Sequence, residues 1–265
     1  MLYTEVKISE SARLEVYIPS NFEAVDINRK RKTVLICPGG SYMYTSDREA
    51  EPVALKLVAE GFNAIVLRYS CFPATFPTAL VELAKSIAMV RERCDEWFVD
   101  VDNIVVAGFS AGGHLAALIG TLWHTDFLEQ QTGLDKKMYM PNGLMLGYPV
   151  VSADFFAKVK EFEAFTNHNE QHKQLVSADK NVTSHMPKTF MWHTDDDNVV
   201  AVENSLMLAI EMKKHKVSLE LHIFPKGKHG LSLANEQTAK PADLEYVNVR
   251  CQVWFDMFIK WLQSL

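Results

Sequence analysis

Residues 104–120 read IVVAGFSAGGHLAALIG. The run Ile104–Phe109 is apolar or small throughout. Such a run, bounded by turn residues, is the pattern of a strand buried on both faces. Gly113–Trp123 follows as a helix rich in small residues. Between them Gly108-Phe109-Ser110-Ala111-Gly112 matches G-x-S-x-G. A serine on so tight a strand-to-helix turn needs small neighbours, because any larger side chain would collide with the turn. Strand, turn and helix stand in the required order, which makes Ser110 the candidate nucleophile.

The same alternation extends in both directions. Tyr3–Ile8 and Leu14–Ile18 read as two antiparallel strands, and Thr33–Cys37 (TVLIC) as a buried strand ending at Pro38-Gly39-Gly40. Arg48–Glu60 reads as a helix with Ala50, Val53, Ala54, Leu57 and Val58 on one face, stopped by Gly61. Strands follow at Phe62–Leu67, Gly143–Tyr148, Lys188–His193 and Ser218–Phe224. Helices are expected from Pro77 to about Cys94, over Val202–His215 and over Tyr246–Leu265. Strands alternating with helices of this length predict an α/β fold, a mostly parallel sheet covered on both faces. Ser152–Met186 breaks the rhythm. It is polar, carries aromatics at Phe155–Phe162, and is expected to form a short helical insertion, a lid or pocket wall over the C-terminal edge of the sheet, where such folds place ligands. It is too short to bury a core of its own, so residues 1–265 are read as one domain.

Composition excludes several classes. The chain has 265 residues, 48% of them hydrophobic, and a formal charge of -6. That balance is wrong for a nucleic-acid-binding face. No basic segment followed by an apolar run opens the chain, and no stretch approaches the length of a membrane span, so a cytoplasmic protein without membrane partners is expected. The four cysteines, Cys37, Cys71, Cys94 and Cys251, are scattered without a C-x-x-C pair and read as free thiols. A homo-oligomer is compatible with the sequence.

A serine hydroxyl needs a base, and the base an orienting acid, in the chain order Ser, acid, His for this architecture. Among nine histidines only His229 follows the last strand within a glycine-bearing loop, between Gly227 and Gly230. His193 precedes the acid, His222 lies inside a strand, His215 ends a helix, and His114 stands one turn after Ser110. His168 and His172 are four apart, but without a third ligand they read as solvated rather than metal-binding. The acid falls in His193-Thr194-Asp195-Asp196-Asp197-Asn198-Val199, where three adjacent carboxylates leave the choice open. Those not used are expected to cap the next helix. Negative charge developing on a substrate carbonyl needs amide donors, one from Ala111 and another from the loop Pro38-Gly39-Gly40-Ser41-Tyr42. Tyr42, Tyr148, Phe155 and Trp192 are candidates to line the pocket, although aromatics near a sheet edge are more often plain core; Tyr42, directly after that loop, is the favoured substrate contact.

These segments resemble the small-ester branch of the α/β-hydrolase superfamily, bacterial acetyl-xylan-esterase-like and feruloyl-esterase-like proteins. The likeness runs through CPGGSYMYTSDREAEPVALKLVAEGFNAIVLRYS, GFSAGGHLAA, PKTFMWHTDDDNVVAVENSLMLA and LELHIFPKGKHGLSLA. It implies an α/β-hydrolase fold and a serine carboxylesterase needing no cofactor or metal, acting on small acyl esters such as acetylated sugars or xylo-oligosaccharides. The family's D-x-x-V pattern implies Asp196 as the acid, with Val199 as its valine, and the family's loop implies oxyanion donors at the Gly40, Ser41 and Ala111 amides. Val200 stands where the family often has Pro, and Gly-Gly-Ser differs from the His-Gly-Gly-Gly of hormone-sensitive-lipase-like esterases. The HTDDDNVV segment also resembles prolyl-oligopeptidase relatives, and the size fits a kynurenine-formamidase-like enzyme, so a peptidase or amidase is the competing expectation.

Overall fold

The computed structural model describes residues 1–153 and 165–265. Eight strands form one sheet: β1 (Leu2–Lys7), β2 (Arg13–Ile18), β3 (Arg31–Cys37), β4 (Asn63–Arg68), β5 (Val99–Phe109), β6 (Gly143–Gly147), β7 (Thr189–Thr194) and β8 (Leu219–Phe224). Their order is β1-β2-β4-β3-β5-β6-β7-β8. The β1–β2 and β2–β4 pairings are antiparallel and the rest parallel. The fold is that of an α/β-hydrolase.

Side-chain alternation sorts β3 between two cores. Leu35 and Cys37 face α2 (Thr78–Glu92) and α3 (Ala111–Leu122), joining Leu80, Leu83, Ile87, Leu115 and Leu118. Val34 and Ile36 face α1 (Glu51–Ala59) and the C-terminal helix, joining Val53, Leu57, Trp254 and Phe258. Burying each such side chain contributes about 1.5–3 kcal/mol. Two packed faces therefore anchor the strand ends from which the loops of interest depart.

Several boundaries differ from expectation. β5 begins at Val99 because its polar start pairs with Arg31 before a register shift in β3. The helix expected from Arg48 opens as a 3₁₀ turn, Asp47–Glu49, and becomes α1 only past Ala50, whose φ and ψ are not helical. Two short helices stand where none was expected, α4 (Asp126–Thr132), capped by Thr125, and α5 (Lys136–Tyr139), capped by Asp135. Helix α7 (Glu203–Lys214) follows β7. The last helix, α8 (Val249–Gln263), starts after Tyr246 because the Asn248 side chain accepts the Cys251 N–H and fixes the N-terminus there.

Within the expected insertion, residues 165–186 include α6 (Glu170–Leu175) and a 3₁₀ turn at Ala178–Asn181. This part packs against the α2–α3 side: Phe165 lies over Tyr42 and Phe76, and Ala178 N–H bonds to Val151 O. The Phe155–Phe162 pattern lies outside the described residues. No helix among the described residues is long and apolar enough to cross a membrane.

Candidate active site

Parallel pairing aligns the C-terminal ends of β3, β5, β7 and β8, and every predicted site residue leaves the sheet at that edge. Ser110 sits between β5 and α3 with φ 53° and ψ -118°, a conformation that costs a non-glycine residue about 1–3 kcal/mol. The turn is held by Ser110 N–H to Gly147 O and His114 N–H to Ser110 O, both 3.0 Å. A side chain at Gly108 would collide with the Gly112 carbonyl, and one at Gly112 with the Cys37 carbonyl. The two glycines of G-x-S-x-G are thus required by close backbone approach.

Ser110 Oγ lies 2.7 Å from His229 Nε2, and His229 Nδ1 lies 2.7 Å from Asp197 Oδ2. A carboxylate only accepts. Nδ1 therefore carries the proton donated to Asp197, and Nε2 is left to accept from the serine hydroxyl. The carboxylate that meets His229 is Asp197 and not the expected Asp196. Asp197 is buried. Its Oδ1 accepts the Val199 and Val200 N–H groups at 2.9 Å each, and His193 Nε2 stands 3.4 Å from its Oδ2. Burial pushes this carboxyl up, but hydrogen bonds from His193, His229 and the Val200 amide outweigh it and hold the group well below the usual carboxylate range. Asp196 instead points outward and accepts the Gly227 N–H at 2.7 Å, while Thr194 Oγ1 donates to Gly227 O at 2.8 Å. Acid turn and histidine loop are strapped together through Gly227. No side chain caps α7 at its N-cap, Val202, so the expected capping by the spare aspartates does not occur. The sequence signal for Asp197 was present: D-x-x-V fits Asp197–Val200 as well as Asp196–Val199, because two valines are adjacent.

Gly40, Ser41, Ser110 and His229 share a cavity of about 310 Å³. Gly40 has φ +125°, and a side chain there would strike the Tyr44 carbonyl. Ser41 also lies in the left-handed region, at φ 56°. Among the described residues the Gly40, Ser41 and Ala111 amides donate to no protein acceptor. Tyr42, the expected substrate contact, is buried instead: its φ of 58° turns the ring inward, its hydroxyl lies 2.9 Å from His114 Nδ1, and Phe165 covers its face. The aromatic residues that do line the cavity are Tyr44 and Tyr246, joined by Ser46, Arg48, Asn198, Val199 and Lys228. The Arg48 guanidinium lies 4.6 Å over the Tyr246 ring. Tyr148 and Trp192 are core residues, as their apolar surroundings suggest. None of residues 165–186 lines this cavity.

Two further groups were missed from sequence. Glu49 is buried, its Oε2 accepting the Gly39 N–H at 2.8 Å and its Oε1 the Tyr148 O–H at 2.7 Å. Burial, with Glu49 beside it, pushes the Tyr148 hydroxyl well above its ordinary range, so it stays a donor. A signal existed for Glu49, which belongs to the apolar stripe Ala50, Val53, Ala54 and Leu57 and is its one acid. Nothing in the sequence pointed to a partner for the Tyr148 hydroxyl.

The fold as a whole has parallels among solved structures. The carboxylesterase Cest-2923 of Lactobacillus plantarum superposes with a TM-score of 0.93 at 28% identity, over 100% of this chain and 98% of that one. An acetyl ester-xyloside bifunctional hydrolase of Caldicellulosiruptor lactoaceticus superposes at 0.81 with 32% identity, over 98% and 96%. The chain belongs to the α/β-hydrolase superfamily. Residues 14–145 of this α/β-hydrolase match the BD-FAE family. It is also 25% identical, over 77% of its length, to an acetylxylan esterase of Xylanibacter ruminicola. The hydrolase spans 34% and 42% of the length of two curated relatives it matches, the second being that esterase. Among its described residues no group of three His, Cys, Asp or Glu is placed to hold a metal ion.

Proposed function

We propose that the chain is a serine carboxylesterase that cleaves small acyl esters through an acyl-enzyme. The observation that carries the reading is the unbroken relay from Ser110 Oγ through His229 to Asp197, with both contacts at 2.7 Å. Ser110 Oγ attacks the ester carbonyl carbon while its proton passes to His229 Nε2. Asp197 holds the imidazole in the required tautomer and offsets its positive charge. The Gly40, Ser41 and Ala111 amides donate to the oxygen that becomes negative. Collapse breaks the bond to the alcohol oxygen, which takes the proton from Nε2. Water then gives a proton to Nε2 and attacks the acyl carbon; the bond to Ser110 Oγ breaks, Oγ takes that proton back from Nε2, and the acid is released.

The alcohol is proposed to be a sugar, so that the natural substrate is an acetylated sugar or xylo-oligosaccharide. The cavity supports this with hydroxyl-seeking side chains, Ser46, Arg48, Asn198 and Lys228, beside aromatic surfaces at Tyr44 and Tyr246. The names of the Caldicellulosiruptor and Xylanibacter relatives support it independently. The test is a panel of p-nitrophenyl esters of rising acyl length, acetylated xylo-oligosaccharides, aminoacyl amides and N-formylkynurenine. Turnover should favour acetyl esters and acetylated xylo-oligosaccharides. Preference for the amides would replace the esterase reading.

A further inference from the structure

We propose that Glu49 is a positioning residue for this reaction, one carboxylate that sets the oxyanion loop and the histidine loop against each other. The inference rests on the esterase reading above. Glu49 Oε2 takes the Gly39 N–H at 2.8 Å, one residue before the first oxyanion amide. Its Oε1 takes the Tyr148 O–H at 2.7 Å, and the Tyr148 oxygen accepts the Ser232 N–H at 2.9 Å, three residues beyond His229. The Tyr148 ring packs edge-on against the His229 imidazole, with centroids 5.1 Å apart. Ser232 Oγ also donates to Arg48 O at 2.6 Å, so the histidine loop is tied twice to the segment carrying Glu49.

A carboxylate is the group this place demands. Both of its partners donate, and only a carboxylate offers two acceptor oxygens with no donor. For stability alone the choice is poor, because burying a charge is costly and no cation lies within ion-pair distance of Glu49 among the described residues. The linked loops are strained as well: Ser41, Ser110, Tyr148 and Ser232 all have positive φ. Left to relax, each would drift toward ordinary backbone geometry, and a 1 Å displacement of aligned groups costs about 100-fold in rate. Packing tightens the link, since a Cβ built on Gly39 would stand 2.7 Å from Glu49 Oε2 and 3.0 Å from Ser110 Cβ. Glu49 thus reaches the nucleophile's neighbourhood through one oxygen and the base's through the other.

Glu49→Gln keeps the shape but turns an N–H₂ toward one of the two donors. With p-nitrophenyl acetate, kcat should fall about 10- to 100-fold while KM stays within about threefold. Affinity for phenylboronic acid, which forms a tetrahedral adduct on serine, should weaken by a similar factor. Tyr148→Phe breaks only the histidine arm and should lose about tenfold in kcat, and the double variant should be no slower than Glu49→Gln. Thermal unfolding confirms which variants are folded. A folded Glu49→Gln whose kcat and boronate affinity both lie within about twofold of the parent overturns the proposal. If Glu49→Gln does not fold, an unchanged kcat in Tyr148→Phe does the same. Ser110→Ala runs alongside: an inactive Ser110→Ala beside a fully active Glu49→Gln sinks this inference alone, whereas an active Ser110→Ala sinks the esterase reading beneath it.

Discussion

His229 and His114 both contact Ser110, one through its ring and the other through its backbone N–H, and each imidazole is gripped at both nitrogens by oxygen. His229 meets the Ser110 hydroxyl and the Asp197 carboxylate, both at 2.7 Å. His114 meets the Tyr42 hydroxyl at 2.9 Å and the Val176 carbonyl at 2.7 Å. Drawn as pairs of hydrogen bonds, the two sites are nearly the same. They differ in the group behind the ring, a carboxylate or a carbonyl, and in access. His229 faces a cavity and has an anion behind it, so a proton taken from Ser110 has a stabilised place to go. His114 is fully buried with a neutral carbonyl behind it; burial pushes its pKa down to about 4. The carbonyl can only accept, so Nε2–H donates to Val176 and Nδ1 accepts from Tyr42, which fixes a neutral ring. Under the proposed mechanism the same imidazole is a base in one setting, while in the other it is a structural bolt.

Each variant below tests that contrast. Removing the hydroxyl at the first site, Ser110→Ala, should lower kcat/KM for p-nitrophenyl acetate by about 10⁴-fold or more; near-normal turnover would remove Ser110 from the mechanism. Asp197→Asn keeps the shape but lets Nδ1 lose its acceptor, and should cost about 10³- to 10⁴-fold. Asp196→Asn, which retains an oxygen for the Gly227 N–H, should stay within about threefold. The reverse ranking in the same assay would restore Asp196 as the acid. At the second site, Tyr42→Phe leaves a buried ring nitrogen without its donor. It should cost about 1–2 kcal/mol in urea unfolding with little change in kcat.

Stability should also depend on pH. His114 has its pKa lowered in the folded state from 6.5 to about 4, so between those values the unfolded chain binds more protons and stability rises with pH. Acidification through that window should therefore destabilise the protein, by about 3 kcal/mol at most. Asp197, held below its ordinary 3.8, adds to the loss only under about pH 4. Unfolding free energies measured at pH 7, 5.5 and 4.5 should show the slope, and His114→Gln should flatten it. An unchanged slope in that variant would locate the acid sensitivity elsewhere.

The contrast also explains which parts of the site were legible in advance. Ser110 and His229 were readable because local chemistry announces them, one by two glycines that close backbone approach requires, the other by its loop after the last strand. Asp196 was expected in place of Asp197 because D-x-x-V matches twice in DDNVV, and spacing along a chain does not say which of two adjacent side chains turns inward. Tyr42 was expected at the cavity because it follows the oxyanion loop, yet a positive φ reversed its direction, and a dihedral angle is not written in residue order. Glu49 escaped because its partners, Gly39 and Tyr148, come from different strand ends.

By itself the sequence determined the layered α/β architecture, all eight strands and the serine turn, because periodicity and steric demands act over a few neighbouring residues. Only the tertiary structure decided which carboxylate reaches His229, that Tyr42 belongs to the core, and that one buried glutamate joins the two halves of the site. Those outcomes depend on groups 32 to 184 residues apart meeting at one sheet edge, where burial and the direction of each hydrogen bond, rather than distance along the chain, select the partner.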